Sequence, residues 1–323
     1  MKYLAVTCMA VLACACGAPA SQADRGTAVG TVQAGFGGIP SPLFNPESNT
    51  APEAAAAGHG PWYGGLVTLT WTGHLAYSIQ AAPVFRYAEP TAHDVNAFAL
   101  SLGASPEMNG NKQIVRYGTP NFTLKVDGTT PTASDPRPAS PPTFFIFTAP
   151  TPAPTVPAGI SLAGFAAQYL AQLGLTPQWP HTVELEGSTV LFLRQVAVSG
   201  YASPAHVIDS GGRYSGLEVD FTGDKLLRVV GPLPIGLDST NYAIIPADQA
   251  VREAIASSPP PAGEAARPTV QLTSAELVYA LAPGGIGGYY EPALLFSGTF
   301  KVQGTTFAKL VLVPLVDPSL RSS

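Results

Sequence analysis

Cysteine is confined to the first 16 residues, at Cys8, Cys14 and Cys16. The rest of the chain therefore has no thiol for a disulfide framework, a CxxC redox pair or a thiolate metal site. Charge is scarce as well. Asp, Glu, Lys and Arg make up 11% of the residues, the formal net charge is −5, and no long basic run occurs. That balance excludes a surface built to read nucleic acid or anionic lipid by charge, since both need clustered Lys and Arg. The common catalytic signatures are missing too: no G-x-S-x-G elbow, no H-E-x-x-H, no Walker loop and no G-x-G-x-x-G opening a helix. The five histidines (His59, His74, His93, His181, His206) are scattered without ligand spacing. No metal and no cofactor is expected.

What the chain does have is length, apolar residues and turn formers. With 323 residues, 46% of them hydrophobic, it can bury one large or two modest cores. Glycine and proline, 33 each, demand many turns and loops. Lys2 followed by the apolar run Tyr3–Ala15 reads as a signal peptide, and it falls short of the roughly 20 residues a spanning helix needs. The run ends in Leu12-Ala13-Cys14-Ala15-Cys16-Gly17, which resembles the lipobox of bacterial lipoproteins. The resemblance implies a lipid on Cys16, where Ala-Cys-Gly leaves the longer apolar run, or else on Cys14. It departs from the family at Leu12, where a small residue is usual, and at Ala13, where leucine is usual. Cleavage after Ala20 or Ala23 would instead secrete the protein. Either way the protein is exported.

Residues 17–60 are rich in Ala, Gly, Pro and Ser and read as a flexible spacer. Periodicity then divides the body into an N-terminal α+β domain over 61–148, a proline-rich linker over 149–159 and a C-terminal α+β domain over 160–323. Leu66–Thr72 alternates, with Val67, Leu69 and Trp71 on one face, and Leu75–Ile79 is expected to return as its hairpin partner. Thr91 before Asp94 caps an amphipathic helix over 92–102. Strands follow at 113–117, 122–126 and 143–148. Past the linker, Ser161 caps a helix carrying Leu162, Phe165, Ala166, Tyr169 and Leu173, with Gly174 as its stop.

Hairpins are expected over 182–195 and around the turn Thr222-Gly223-Asp224-Lys225. A short strand, Tyr242–Ile245, leads to a helix over 246–256. Pro246 is expected at its first position, Asp248 in its positive first turn, and Val251, Ala254 and Ile255 in its buried stripe against 217–230 and the closing strands. Those closing strands are 269–280, 293–300 and 306–313. Helix, Leu-Gly, loop and paired strands recur at 92–126 and 161–195, a weak internal repeat. The fold class is α+β: mainly antiparallel sheets with a few amphipathic helices packed on one face.

Three constellations could carry chemistry. Asp209-Ser210-Gly211-Gly212 looks like the serine segment of trypsin-like proteases, and Thr91-Ala92-His93 like their histidine segment. The likeness covers seven residues. Ile208 replaces the expected glycine, no cysteines flank either piece, and nothing places a third triad member. A polar turn is the simpler reading of 209–212. Asp220 with Asp224, or Glu184 with Glu186, could pair for acid–base work, although their spacing equally fits exposed strand and turn positions. Tyr289-Tyr290, beside the glycine-rich loop 284–288, could form an aromatic patch for a partner.

From about residue 201 a resemblance to a family emerges. A hairpin ending in Val229-Val230 leads to Tyr242-Ala243-Ile244-Ile245-Pro246-Ala247-Asp248-Gln249-Ala250, then to Val270–Leu281 and Tyr290-Glu291-Pro292-Ala293-Leu294-Leu295-Phe296. This order resembles the YycI/YycH-type extracytoplasmic accessory proteins of bacterial two-component systems, and PepSY-related envelope domains. Those accessory proteins are usually held by a transmembrane helix, where this chain has a signal and a lipobox-like run. The resemblance implies no catalytic residues. Together these readings give an exported protein, lipid-anchored on the outer face of a bacterial membrane, that acts by binding as a regulatory or accessory module and contacts an envelope protein. A carrier of an apolar ligand such as a lipid is the alternative, and a serine hydrolase using Ser210 the second.

Overall fold

The structure is a computed structural model that describes residues 35–46, 63, 66–88, 90–107, 115–118, 123–127, 144–233, 236–258, 267–284 and 287–322. The signal segment, with Cys14 and Cys16, lies outside the described residues. Within them the fold is α+β, with many strands and three α-helices: α1 (Ala92–Ser101), α2 (Leu162–Gln172) and α3 (Ala247–Ala256).

Local chemistry sets the helix ends. The Thr91 hydroxyl accepts from the Asp94 N–H, and the Asp94 carboxylate accepts from the Thr91 N–H at 2.8 Å, so α1 opens on a reciprocal capping box. Those bonds hold the Asp94 carboxyl below its ordinary range. Ser161 likewise accepts from the Gly164 N–H at the start of α2. Gly103 and Gly174 follow the two helices at φ +74 and +69, a left-handed turn that glycine takes without a Cβ penalty.

Both helices cover one face of an antiparallel array. β6 (Phe144–Thr148) pairs with β11 (Lys225–Pro232), β11 with β10 (Gly216–Thr222), and β10 with β8 (Thr189–Val196). Beyond β6 lie β5 (Thr123–Asp127), β4 (Val115–Gly118) and β3 (Ser105–Glu107); on the other side of β8 lies β7 (His181–Glu186). Val95, Phe98 and Ala99 of α1 and Ala166 and Leu170 of α2 meet Phe145, Phe147, Val190, Phe192, Leu217 and Val219 in a helical core. Alternation explains the choice: Phe145 and Phe147, Val190 and Phe192, and Leu217 and Val219 each stand two residues apart and face the helices.

The second array is long and its pairings are distant in sequence. β14 (Ser274–Pro283), β15 (Gly287–Val302) and β16 (Thr305–Pro314) run antiparallel. β2 (Ala81–Ala88) joins the start of β15 and carries β12 (Asp238–Ala243) on its far edge. β9 (Ala205–Ile208) pairs in parallel with β14 and links to β8. Over this array sits a small parallel pair, β1 (Thr68–Trp71) with β13 (Thr269–Leu272). Val67, Leu69, Val270, Leu272, Leu294, Phe296 and Val313 fill the core between them.

Several expectations change. Residues 74–79 form no strand; the partner of β1 is β13, and Leu75, Tyr77 and Ile79 pack on the core as irregular chain. Pro246 is the N-cap of α3 rather than its first residue. The stripe of α3 is Ala250 and Ala254, flanked by Val251, and it lies on β1 and β16 rather than on 217–230. Ile255 is 37% exposed. The reason is angular: at about 100° per residue, Ile255 is turned well away from the Ala250–Ala254 line.

The spacer expected over 17–60 is partly docked. Ile39 is fully buried and exchanges backbone bonds with Leu320 and Ser322, while Leu43 and Asn45 donate to the Leu281 and Ser210 carbonyls. Phe36, Ile39 and Phe44 give this short stretch enough apolar surface to bury. The proline-rich stretch 149–157 also lies against the body, exchanging bonds between Val156 and Asp224 and between Pro154 and Leu226. Strands before it (β1, β2, β6) pair with strands after it (β13, β15, β11).

Candidate functional site

The turn that carries Ser210 follows β9. Its geometry is set by Asp209, whose Oδ1 accepts from the Gly211 N–H at 2.8 Å and the Arg213 N–H at 2.9 Å. Gly212 takes φ +83, and a Cβ there would press on Leu310 and Phe44. The Ser210 carbonyl is occupied by the Asn45 N–H at 2.7 Å. His93 is exposed on the first turn of α1, over the helical core, and among the described residues no hydrogen bond joins it to Ser210.

The candidate carboxylates occupy strand and turn positions. Asp220 is held by the Thr189 hydroxyl at 2.6 Å and by Arg228 Nε at 2.5 Å. Asp224 lies in the tight turn between β10 and β11, where Gly223 takes φ +63. Glu184 and Glu186 stand exposed on β7.

A cluster that sequence reasoning did not single out gathers on β8, β9, β14 and the turn after β9. The His206 ring stacks on Tyr214 with centroids 4.3 Å apart. Its Nδ1 lies 3.6 Å from a Glu276 oxygen, and its Nε2 3.2 Å from the Gln195 amide. The Tyr214 hydroxyl donates to the Glu276 carboxylate, at 2.8 and 2.9 Å from its two oxygens. Burial, with Glu276 and Glu184 nearby, pushes the Tyr214 phenol well above its ordinary value. The group is satisfied within itself, so it holds the turn to the sheet. Four separate elements supply it, and no local spacing could have disclosed it.

The described cleft lies elsewhere, where β2 ends and β15 begins. It encloses about 710 Å³ and is lined by Arg86, Tyr87, Pro283, Gly288, Tyr289, Pro40 and neighbouring backbone. Alternation along β15 splits the tyrosine pair. Tyr289 lines the cleft and meets Phe36 at 5.9 Å, whereas Tyr290 is buried and meets Tyr87 at 6.3 Å. At the lip, Arg86 lies 4.8 Å from the centre of the Phe36 ring and reaches the Asp238 carboxylate at 2.6 Å. Beneath it, Glu291 is fully buried and takes both arms of the Arg321 guanidinium, at 3.1 and 2.8 Å; Arg321 also donates to the Pro40 carbonyl. Burial pushes the Glu291 carboxyl up, and Arg321 opposes that shift. A bidentate pair of this kind is rigid, and it fixes Pro40 at one wall of the cleft.

No protein-family model matches the chain, and no curated protein does. Among solved structures it is similar to an uncharacterized protein from Eubacterium rectale ATCC 33656, at 7% identity over 76% of this chain and 87% of that one. The TM-score is 0.30, too low to carry a functional argument.

Proposed function

We propose that this is an exported protein, lipid-anchored through Cys16 or else Cys14 on the outer face of a bacterial membrane, and that it acts there by binding rather than catalysis. Its role is regulatory or accessory, in keeping with the resemblance of residues from 201 onward to YycI/YycH-type and PepSY-related envelope domains. The observation that carries the binding reading is the cleft at Tyr289, with an aromatic wall, an Arg86–Asp238 pair at its lip and a buried ion pair behind it. The carrier alternative fits this cleft less well, because among the described residues that line it none is Leu, Ile, Val or Met. Ser210 gives a hydrolase little to work with, for its turn is knit by Asp209 and no histidine bonds to the serine among the described residues.

Two measurements test the proposal. Metabolic labelling with a fatty acid should mark the wild type and spare the Cys14→Ser, Cys16→Ser double variant; an unlabelled wild type overturns the anchor. A photo-crosslinking residue at Tyr289 should capture a partner in intact envelopes, whereas the same residue at the exposed Leu100 should not. Equal yields at both positions would overturn the cleft as the binding surface.

A further inference from the structure

The edge strand β7, His181-Thr182-Val183-Glu184-Leu185-Glu186, carries two exposed aliphatic side chains at the edge of the helical half. It pairs with β8 along all six residues without a register shift, and among the described residues no strand pairs with its other edge. An edge of that kind presents a row of main-chain donors and acceptors, and proteins usually blunt it with charged side chains, proline or a bulge. β7 has no proline and no bulge, and its carboxylates, Glu184 and Glu186, repel only strands of their own sign.

Its two faces are chemically distinct. Val183 stands opposite Phe192 and Leu185 opposite Val190, so both share the face of the helical core. They are nevertheless 46% and 57% exposed, an apolar row that runs out of the core into solvent. Glu184 and Glu186 stand on the other face, opposite Leu191 and Thr189. That face continues across β8 to Glu218 and Asp220 on β10, of which only Asp220 is matched by a described ion pair, with Arg228.

The geometry points to the outer edge of β7 as a docking strand for an extended segment of a partner protein in which basic residues alternate with aliphatic ones. Aliphatic side chains of such a segment would lie beside Val183 and Leu185, and its Lys or Arg beside Glu184 and Glu186. A second copy of this chain fits poorly. Two-fold pairing of β7 with itself would lay glutamates beside glutamates on one face, and like charges across strands destabilise pairing. The carboxylates therefore discourage self-association while leaving the edge open to a cationic strand. The inference rests on the reading that the protein acts by binding, but it does not depend on the Tyr289 cleft.

The test is fluorescence anisotropy with the full chain and a labelled peptide, Lys-Val-Lys-Val-Lys-Val. It should bind, and Glu-Val-Glu-Val-Glu-Val and the blocked sequence Lys-Lys-Lys-Val-Val-Val should not. Glu184→Lys with Glu186→Lys should weaken binding by about tenfold or more, because both lost attractions become repulsions. Tyr289→Ala should leave binding unchanged, so a dead cleft and a dead edge are told apart. A peptide carrying N-methyl groups on alternate amides tests main-chain pairing on the unmodified protein, and the better blocked of its two registers should fail to bind. Equal binding of the blocked-sequence peptide, or of both N-methylated registers, would show charge attraction without strand pairing and would overturn the proposal. So would an absence of binding by the alternating peptide.

Discussion

The helical core and the core beneath the β1–β13 pair differ in how much of each is closed by distant pairings. In the first, neighbours in sequence become neighbours in space: β7 turns into β8 and β10 into β11, and each helix is closed by its own cap. In the second, the local meander of β14, β15 and β16 is closed by partners from the other end of the chain. β1 lies against β13, and the Tyr279 hydroxyl donates to the Pro83 carbonyl, 196 residues away. Long loops must close before such contacts form, so the second core gains little until most of it is in place. Both halves start from local hairpins, but the helical half needs one distant pairing, β6 with β11, whereas the second core is closed only when β1 and β2 arrive.

Core truncations should show the largest effects and also reveal how the two cores are coupled. Phe296 is fully buried and meets Trp71 edge-on at 5.2 Å. Phe296→Ala should cost about 3–5 kcal/mol and Leu170→Ala, in the helical core, about 2–5 kcal/mol. Because β8 belongs to both arrays, urea unfolding followed by fluorescence and by far-ultraviolet dichroism should show one shared transition that both variants lower. Two transitions, each sensitive to one variant, would break the coupling.

A smaller effect concerns the open face of the helical half. Burial raises the Glu218 carboxyl above its ordinary 4.5, Asp220 adds to the shift, and Arg228 and Arg213 oppose it. A raised carboxyl binds its proton more tightly when folded. That contribution is fully present below pH 4.5 and is lost as the pH rises through the folded value. Glu218→Gln should therefore raise the melting temperature at neutral pH. Below the ordinary glutamate value the difference should vanish. A lower melting temperature at neutral pH would mean that the arginines outweigh burial.

The smallest effect is expected on α3. With Ile255 on the rim, Ile255→Ala should cost about 0.5 kcal/mol or less, as exposed substitutions generally do. Thermal unfolding of this variant should nearly overlay the wild type. A loss as large as that of Leu170→Ala would place Ile255 in the core and contradict the orientation of the helix.

The same contrast explains what the sequence disclosed. Thr91 with Asp94, Ser161, Gly174 and the turn at Gly223 are short-range signals, and each element they mark was legible within a residue or two. Val67, Leu69 and Trp71 revealed a strand and its inner face, but not its partner, since alternation is blind to what lies alongside. Ile255 was misplaced because a run of small residues, Ala247, Ala250 and Ala254, hides where the buried stripe of α3 is centred. The spacer composition concealed Ile39, a single residue whose burial depends on the far end of the chain. Of the cleft, only Tyr289 stood out; Arg86, Asp238 and Arg321 come from three distant segments.

The claim that the second core requires both ends of the chain is tested most directly by unfolding residues 160–323 alone. That fragment keeps β13–β16 but loses Val67, Leu69, Val84, Phe145 and Phe147, which are buried in three of the cores. The fragment should show no cooperative transition in urea, and residues 35–148 supplied in trans should restore it. A cooperative transition in the isolated fragment, with a midpoint near that of the whole chain, would contradict it.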